Sequence, residues 1–218
     1  PVCVLAESSL TTFGTPGLID MPSAESAPDA EFSTTVSYFA GSLRTTLSFQ
    51  ILPRLSGSFR YSGIDGLLTG GGRLYDRSFD LRYRMIEEGK YRPAVAIGLQ
   101  DFIGTGVYSG EYVVASKHIT PAVTVTGGIG WGRLGSFNGF SNPLGGINSS
   151  FNTRPIVRQG SLGGIIESAK WFRGDAAFFG GAAWKATKKL TLKAEYSSDG
   201  YLREVASGSF LRKSPYNF

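Results

Sequence analysis

From Glu31 onward, apolar and polar side chains alternate with period two and almost nothing repeats with the helical period, so the chain reads as a succession of strands. Glu31 to Phe39 sets Phe32, Thr34, Val36 and Tyr38 against Ser33, Thr35 and Ser37, and Leu43 to Leu52 sets Leu43, Leu47, Phe49 and Ile51 against Arg44, Thr46, Ser48 and Gln50. Leu55 to Ser62 continues the pattern, and Ser78 to Ile86 opposes Phe79, Leu81, Tyr83 and Met85 to Asp80, Arg82 and Arg84. Val95, Ile97 and Leu99 face away from Ala96, Gly98 and Gln100; the run Glu111 to Lys117 has no clear facing. Ala122 to Leu134, Ala176 to Ala186 and Leu190 to Ser197 follow, making about nine strands, with Tyr216 to Phe218 as the opening of a tenth.

Short and long connections alternate. Pro53-Arg54, Glu87 to Pro93, Ile119 to Pro121 and Thr187 to Lys189 are short, while Gly63 to Arg77, Gly104 to Gly110, Gly135 to Asp175 and Ser198 to Pro215 are long. Long loops at one end and tight turns at the other mark an outer-membrane barrel, whose strands need about 9–11 residues to cross the hydrocarbon. The expectation is an all-β fold, an antiparallel transmembrane β-barrel of outer-membrane type, incomplete here because closed single-chain bacterial barrels use even strand numbers. Its polar face is then the lumen, with Arg60, Asp80, Arg82 and Arg84 pointing into it as a charged ladder. Phe59, Tyr83, Trp131 and Trp184 point outward and suit interfacial girdles. A soluble all-β sandwich is the alternative, and charges in its core would be costly.

Residues 1–6 (PVCVLA) read as the end of a secretory signal, with Val4 and Ala6 as the small residues before a cleavage site and Glu7 as the mature N-terminus. Cys3, the single cysteine, would then be removed, and Pro1-Val2 fits poorly the Leu-small-small run that precedes a lipidated cysteine. Residues 7–30 form a lead-in segment and residues 31–218 the barrel domain.

Composition narrows the chemistry. Charged residues are 18% of the 218, and the 30 glycines follow no collagen period, which suits small polar residues in strands and tight turns. The net charge of +5 alone admits nucleic acid, anionic lipid or acidic polysaccharide. Gly130, Gly132 and Gly135 spell GxGxxG, but they end a strand and lead into a loop instead of opening a helix. Gly70-Gly71-Gly72 lacks the Lys-Ser/Thr of a phosphate loop. His118, the only histidine, lies beside a short turn, far from the long loops where a barrel hydrolase would need it. Asp76, Asp80, Glu111 and Asp175 have no spacing that specifies a glycosidase pair. No catalytic, cofactor or metal site is expected.

Binding is the more promising chemistry. The loop from Gly135 to Asp175 carries Phe137, Phe140, Phe151, Trp171 and Phe172 for stacking on sugar faces, and Arg154, Arg158, Lys170 and Arg173 for acidic sugars. The same aromatics equally suit a loop that lies at the interface or plugs the barrel.

GTPGLIDMPSA (Gly14 to Ala24), LYDRSFDLRYRMIEEGKYRPAVAIGLQDFIGTGVYSGEYVVASK (Leu74 to Lys117), TGGIGWGRLG (Thr126 to Gly135), and YLRE and SPYNF near the end resemble the YjbH family of outer-membrane exopolysaccharide-biosynthesis proteins. The likeness runs from about Phe13 to the end of the chain and corresponds to the N-terminal portion of much longer proteins. The resemblance implies a non-catalytic outer-membrane component of extracellular polysaccharide production and export. Its partners would be outer-membrane lipid, the polysaccharide itself and periplasmic accessory proteins, with no nucleic acid. Asp29-Ala30 stands where the family often has an Asp-Gly turn. A general diffusion pore is the competing reading, and a barrel hydrolase is the least favoured.

Overall fold

The computed structural model describes residues 9–66, 72–156, 165–166 and 168–218. Residues 1–6, Arg158, and Gly70 and Gly71 of the glycine run lie outside the described residues. The strands are β1 (Phe32–Phe39), β2 (Ser42–Leu52), β3 (Leu55–Ile64), β4 (Leu74–Ile86), β5 (Ala94–Gly104), β6 (Gly110–Thr120), β7 (Val123–Gly132), β8 (Ile165–Ile166), β9 (Ala176–Lys185), β10 (Thr191–Tyr196) and β11 (Tyr216–Asn217). They form one antiparallel sheet in which β1 to β7, β9, β10 and β11 are neighbours in sequence order, and β8 pairs with the tip of β5. A short helix α1 (Leu202–Ala206) follows β10. No described helix is long and apolar enough to cross a membrane.

Each strand has one side-chain face turned inward and one outward, and the usual distribution is reversed. Arg44, Thr46, Arg60, Ser62, Asp76, Asp80 and Arg82 are buried, whereas Phe32, Val36, Phe49, Phe79, Tyr83 and Phe178 are exposed, Val36 at 67% and Phe178 at 66%. In β6, where the sequence leaves the facing open, Tyr112, Val114 and Ser116 point inward.

Three of these strands, β3, β4 and β5, are longer than their pattern predicts. β3 runs to Ile64 and β4 begins at Leu74, with Gly63 paired to Tyr75 and Ser62 to Asp76, so much of the expected loop from Gly63 to Arg77 is ladder. β5 likewise reaches Gly104. Trp131 departs from the girdle expectation: it is 4% exposed because Phe172 of the long loop covers it edge-on, ring centroids 5.2 Å apart. Tyr83 and Trp184 are exposed and Phe59 is half-buried.

The sheet is not closed by a ladder between β1 and β11. At the long-loop end its edges meet through side chains: the Phe39 ring at the end of β1 lies 5.5 Å from Tyr201 and 4.9 Å from Phe210, both from the segment after β10.

Candidate functional site

The inward face is filled by the N-terminal segment, residues 9–25. The segment folds on itself through bridges Leu10–Pro16 and Gly17–Pro22 and then spans the interior from β1 to β10. Ser37 of β1 donates to the Thr12 carbonyl at 2.6 Å, Thr46 of β2 to the Phe13 carbonyl at 3.0 Å, and Ser48 to the Gly14 carbonyl at 2.5 Å. Gly14 has φ +77°, and a Cβ there would lie 2.5 Å from Thr46 Cβ, so only glycine allows this approach. On the far side the backbone N–H groups of Ile19, Asp20 and Met21 converge on the Glu195 carboxylate at 2.9–3.1 Å, and Lys193 donates to the Leu18 carbonyl at 2.7 Å. Met21 and Ala24 then join Ala94, Ala96, Tyr112, Val114, Leu134 and Phe179 in an apolar cluster. The conspicuous GTPGLIDMPSA string is therefore a plug, and its glycines and prolines shape a compact turn that exposes backbone groups to the polar wall.

Phe13 is the plug's anchor. Its ring lies 4.4 Å from the Arg44 guanidinium, 5.3 Å from that of Arg60 and 5.7 Å from that of Arg133, and it meets Tyr108 edge-on at 5.6 Å. Three cations around one ring need anions nearby, because a buried unpaired charge is expensive. Arg60 makes a forked pair with Asp80 at 2.9 and 3.2 Å, and Asp80 also accepts from Ser58 and from the Asp101 N–H. Arg133 pairs with Asp199 at 2.5 Å and Glu204 at 2.8 Å, and Arg44 stands 3.8 Å from Glu204. Burial alone would raise the Glu204 carboxyl, yet the Arg133 charge and hydrogen bond, aided by Arg44, hold it below the usual carboxylate range. Burial opposes the Arg133 charge, and Asp199 and Glu204 more than offset it, so its pKa is raised.

Arg60, Asp80 and Arg82 share the buried face of β3 and β4. Arg60 stands opposite Ser78 and Asp80 opposite Ser58, so the ion pair runs obliquely across β3 and β4. Arg82 is buried, while Arg84 is half-buried near the short turns and donates to the Pro53 carbonyl at 3.3 Å. The pattern did not reveal Phe13, Arg44, Tyr108, Arg133 or Glu195 as one assembly, because their contacts cross most of the chain. Arg44 lay on a recognised polar face, which was the available signal.

The long loop folds against the sheet's rim. Arg154 forks onto Glu111 at 2.6 and 2.9 Å, donates to Ser109, and reaches the Lys170 carbonyl at 3.0 Å. The Phe172 N–H also bonds to Glu111. Phe140 stacks on Phe178, Arg212 covers Phe137 at 3.4 Å, and Arg173 lies 5.8 Å from the Phe151 ring. Most of the aromatics that the sequence offers for sugar stacking thus pack the loop itself, and Arg154 works as its tether. Trp171 and Arg173 are half-buried. Gly132, with φ +62°, leads into a three-residue 3-10 turn over Arg133–Gly135, so the GxGxxG spacing serves a sharp return and not a helix.

At the opposite end His118 sits between two carboxylates. Its Nδ1 is 2.6 Å from Glu88 and its Nε2 3.4 Å from Glu25 of the plug. Lys117 also reaches Glu88, at 2.8 Å. Burial would raise Glu88, but the hydrogen bonds from Lys117 and His118 outweigh it and lower its pKa. No group of three or more metal-ligating side chains occurs among the described residues.

No solved structure matches the chain. The uncharacterized lipoprotein YjbH of Escherichia coli (strain K12) is 32% identical over 219 residues, covering 96% of this chain and 30% of that protein. The chain thus spans less than a third of the length of that relative. A family model described as "Exopolysaccharide biosynthesis protein YbjH" matches residues 9–218, the plug and the whole sheet together. By that match this chain belongs to the YjbH family of exopolysaccharide biosynthesis proteins.

Proposed function

We propose that this chain is a plugged section of an outer-membrane β-barrel and serves, without catalysis, in the production and export of an extracellular polysaccharide. The inside-out sheet carries the reading: an exposed apolar face and a buried, ion-paired polar face suit lipid outside and a polar interior within. The plug, tied to both β2 and β10, argues against a general diffusion pore. Acidic sugars are the natural partners of the half-buried Arg173 and Trp171 at the rim, and periplasmic accessory proteins would engage the short-turn end. The relative's name as a lipoprotein makes an acylated Cys3 the competitor of a mature N-terminus at Glu7.

Deletion of the gene should diminish surface polysaccharide while outer-membrane composition is otherwise preserved. The full-length protein should fractionate with the outer membrane, and mass spectrometry of its N-terminus decides between Glu7 and lipidated Cys3. In the assembled protein, a cysteine at Leu81 should react with a lipid-phase probe and one at Tyr83 likewise, whereas one at Ser58 should be shielded from it. Unchanged polysaccharide in the deletion strain would remove the functional reading, and sugar release by the purified protein would overturn its non-catalytic part.

A further inference from the structure

Arg82 differs from the other buried arginines of the sheet. Arg44 and Arg60 each face a carboxylate, whereas the Arg82 side chain is 5% exposed and none of its three guanidinium nitrogens has a hydrogen-bond partner among the described residues. It borders a cavity of about 30 Å³ that Gln50, Ser56, Gln100 and Tyr112 also line. Asp80 and Glu31 reach the same cavity, but Asp80 is already committed to Arg60, Ser58 and the Asp101 N–H. Gly98 stands beside Arg82 in the ladder and lets the Tyr112 ring cross it, since a Cβ there would lie 2.2 Å from Cζ of that ring; Tyr112 thereby closes one side of the cavity.

We infer that Arg82 is the centre of a small-anion site that takes one carboxylate group. A guanidinium offers paired N–H donors matched to the two oxygens of a carboxylate, and burial strengthens such a fork relative to water. The cavity exceeds the roughly 10–15 Å³ that a single water requires, which suits a carboxylate tip and excludes a whole sugar ring. The group is either the carboxylate of an acidic sugar or that of a free small acid. Only the first source rests on the polysaccharide reading; the site itself does not.

Calorimetric titration of the full-length protein in detergent with sodium glucuronate, sodium acetate and glucose tests the site. Both acids should bind and compete with each other, and glucose should not bind. Arg82→Gln should weaken acid binding at least tenfold, with Arg82→Lys retaining part of it. Ser56 stands directly opposite Arg82 in the ladder, so Ser56→Asp should supply an internal carboxylate, raise the melting temperature and abolish acetate binding. That second variant keeps the test decisive if Arg82→Gln does not fold. Glucuronate binding tenfold tighter than acetate identifies an acidic sugar as the source, and equal affinities identify a free carboxylate. Absence of binding by either acid, or Ser56→Asp binding acetate like the parent protein, overturns the site. Loss of polysaccharide on gene deletion together with absent acid binding would sink this inference alone and leave the broader function standing.

Discussion

Asp80 shows how much rests on one side chain in the interior. It accepts from Arg60, Ser58 and the Asp101 N–H, and Arg60 in turn flanks Phe13 of the plug. Asp80→Asn keeps the shape but leaves a buried guanidinium without its counter-charge, which typically costs about 3–5 kcal/mol. The expected outcome is a lower unfolding midpoint in denaturant and faster proteolysis of residues 9–25, read by gel and mass spectrometry. Ala30 carries the opposite opportunity. It sits at φ +62°, in the left-handed region that costs an L-residue about 1–2 kcal/mol. Ala30→Gly removes that strain and gives back part of the gain as chain entropy of about 0.4–1 kcal/mol, so a small rise in melting temperature is expected. An unchanged or lower value would show that the turn carries no strain.

Among elements, the strands were the most legible from sequence because period two assigns both faces at once: Phe79, Leu81 and Tyr83 outward, Asp80 and Arg82 inward. Strand ends were less legible. Leu74 to Arg77 puts two apolar residues before two charged ones instead of alternating, and its pairing with Ser62 and Gly63 is decided by the partner strand. The long loop offered the right residues with an open role, since a sequence does not show that Arg154 will find Glu111 rather than a ligand. Arg154→Ala should release that tether. Limited trypsin treatment should then cleave between residues 135 and 175 faster than in the parent protein, while β-sheet content by circular dichroism stays the same. Equal cleavage rates would mean that Phe140 and Phe172 hold the loop by themselves.

For the molecule as a whole, both ends of the sheet are held by carboxylates with lowered pKa values, Glu204 beside Arg133 and Glu88 beside Lys117 and His118. A depressed carboxylate stabilises the folded state above its unfolded pKa, about 4.3 for glutamate, and that contribution fades as pH falls through the lower folded value. Asp199, pushed up to about 6 by burial, works the other way, so the apparent melting temperature should rise slightly as pH falls from 7 to 5 and drop below about pH 4.3. Glu88→Gln should flatten part of that drop, and a profile identical to the parent's would show that Glu88 does not contribute. The plug was the least legible feature at this scale. Its motif was visible, but its partners, from Ser37 to Glu195, are distant in sequence, and its grip uses backbone groups that no side-chain pattern reports.

The Glu195 contact also imposes an order on biogenesis. The N–H groups of Ile19, Asp20 and Met21 lie 174–176 residues before the carboxylate that gathers them. This side of the plug is thus fastened late, because closing so long a loop must await β10, and contacts of such separation form slowly. Before that, Phe13 can already meet Arg44, Arg60 and Tyr108, and Ala24 can meet Ser116, so the segment is fastened first on the side of β2 to β6 and last on the side of β10. Seating of the plug on this side therefore requires the strand that carries Glu195: a chain interrupted before it lacks the carboxylate that gathers these three N–H groups.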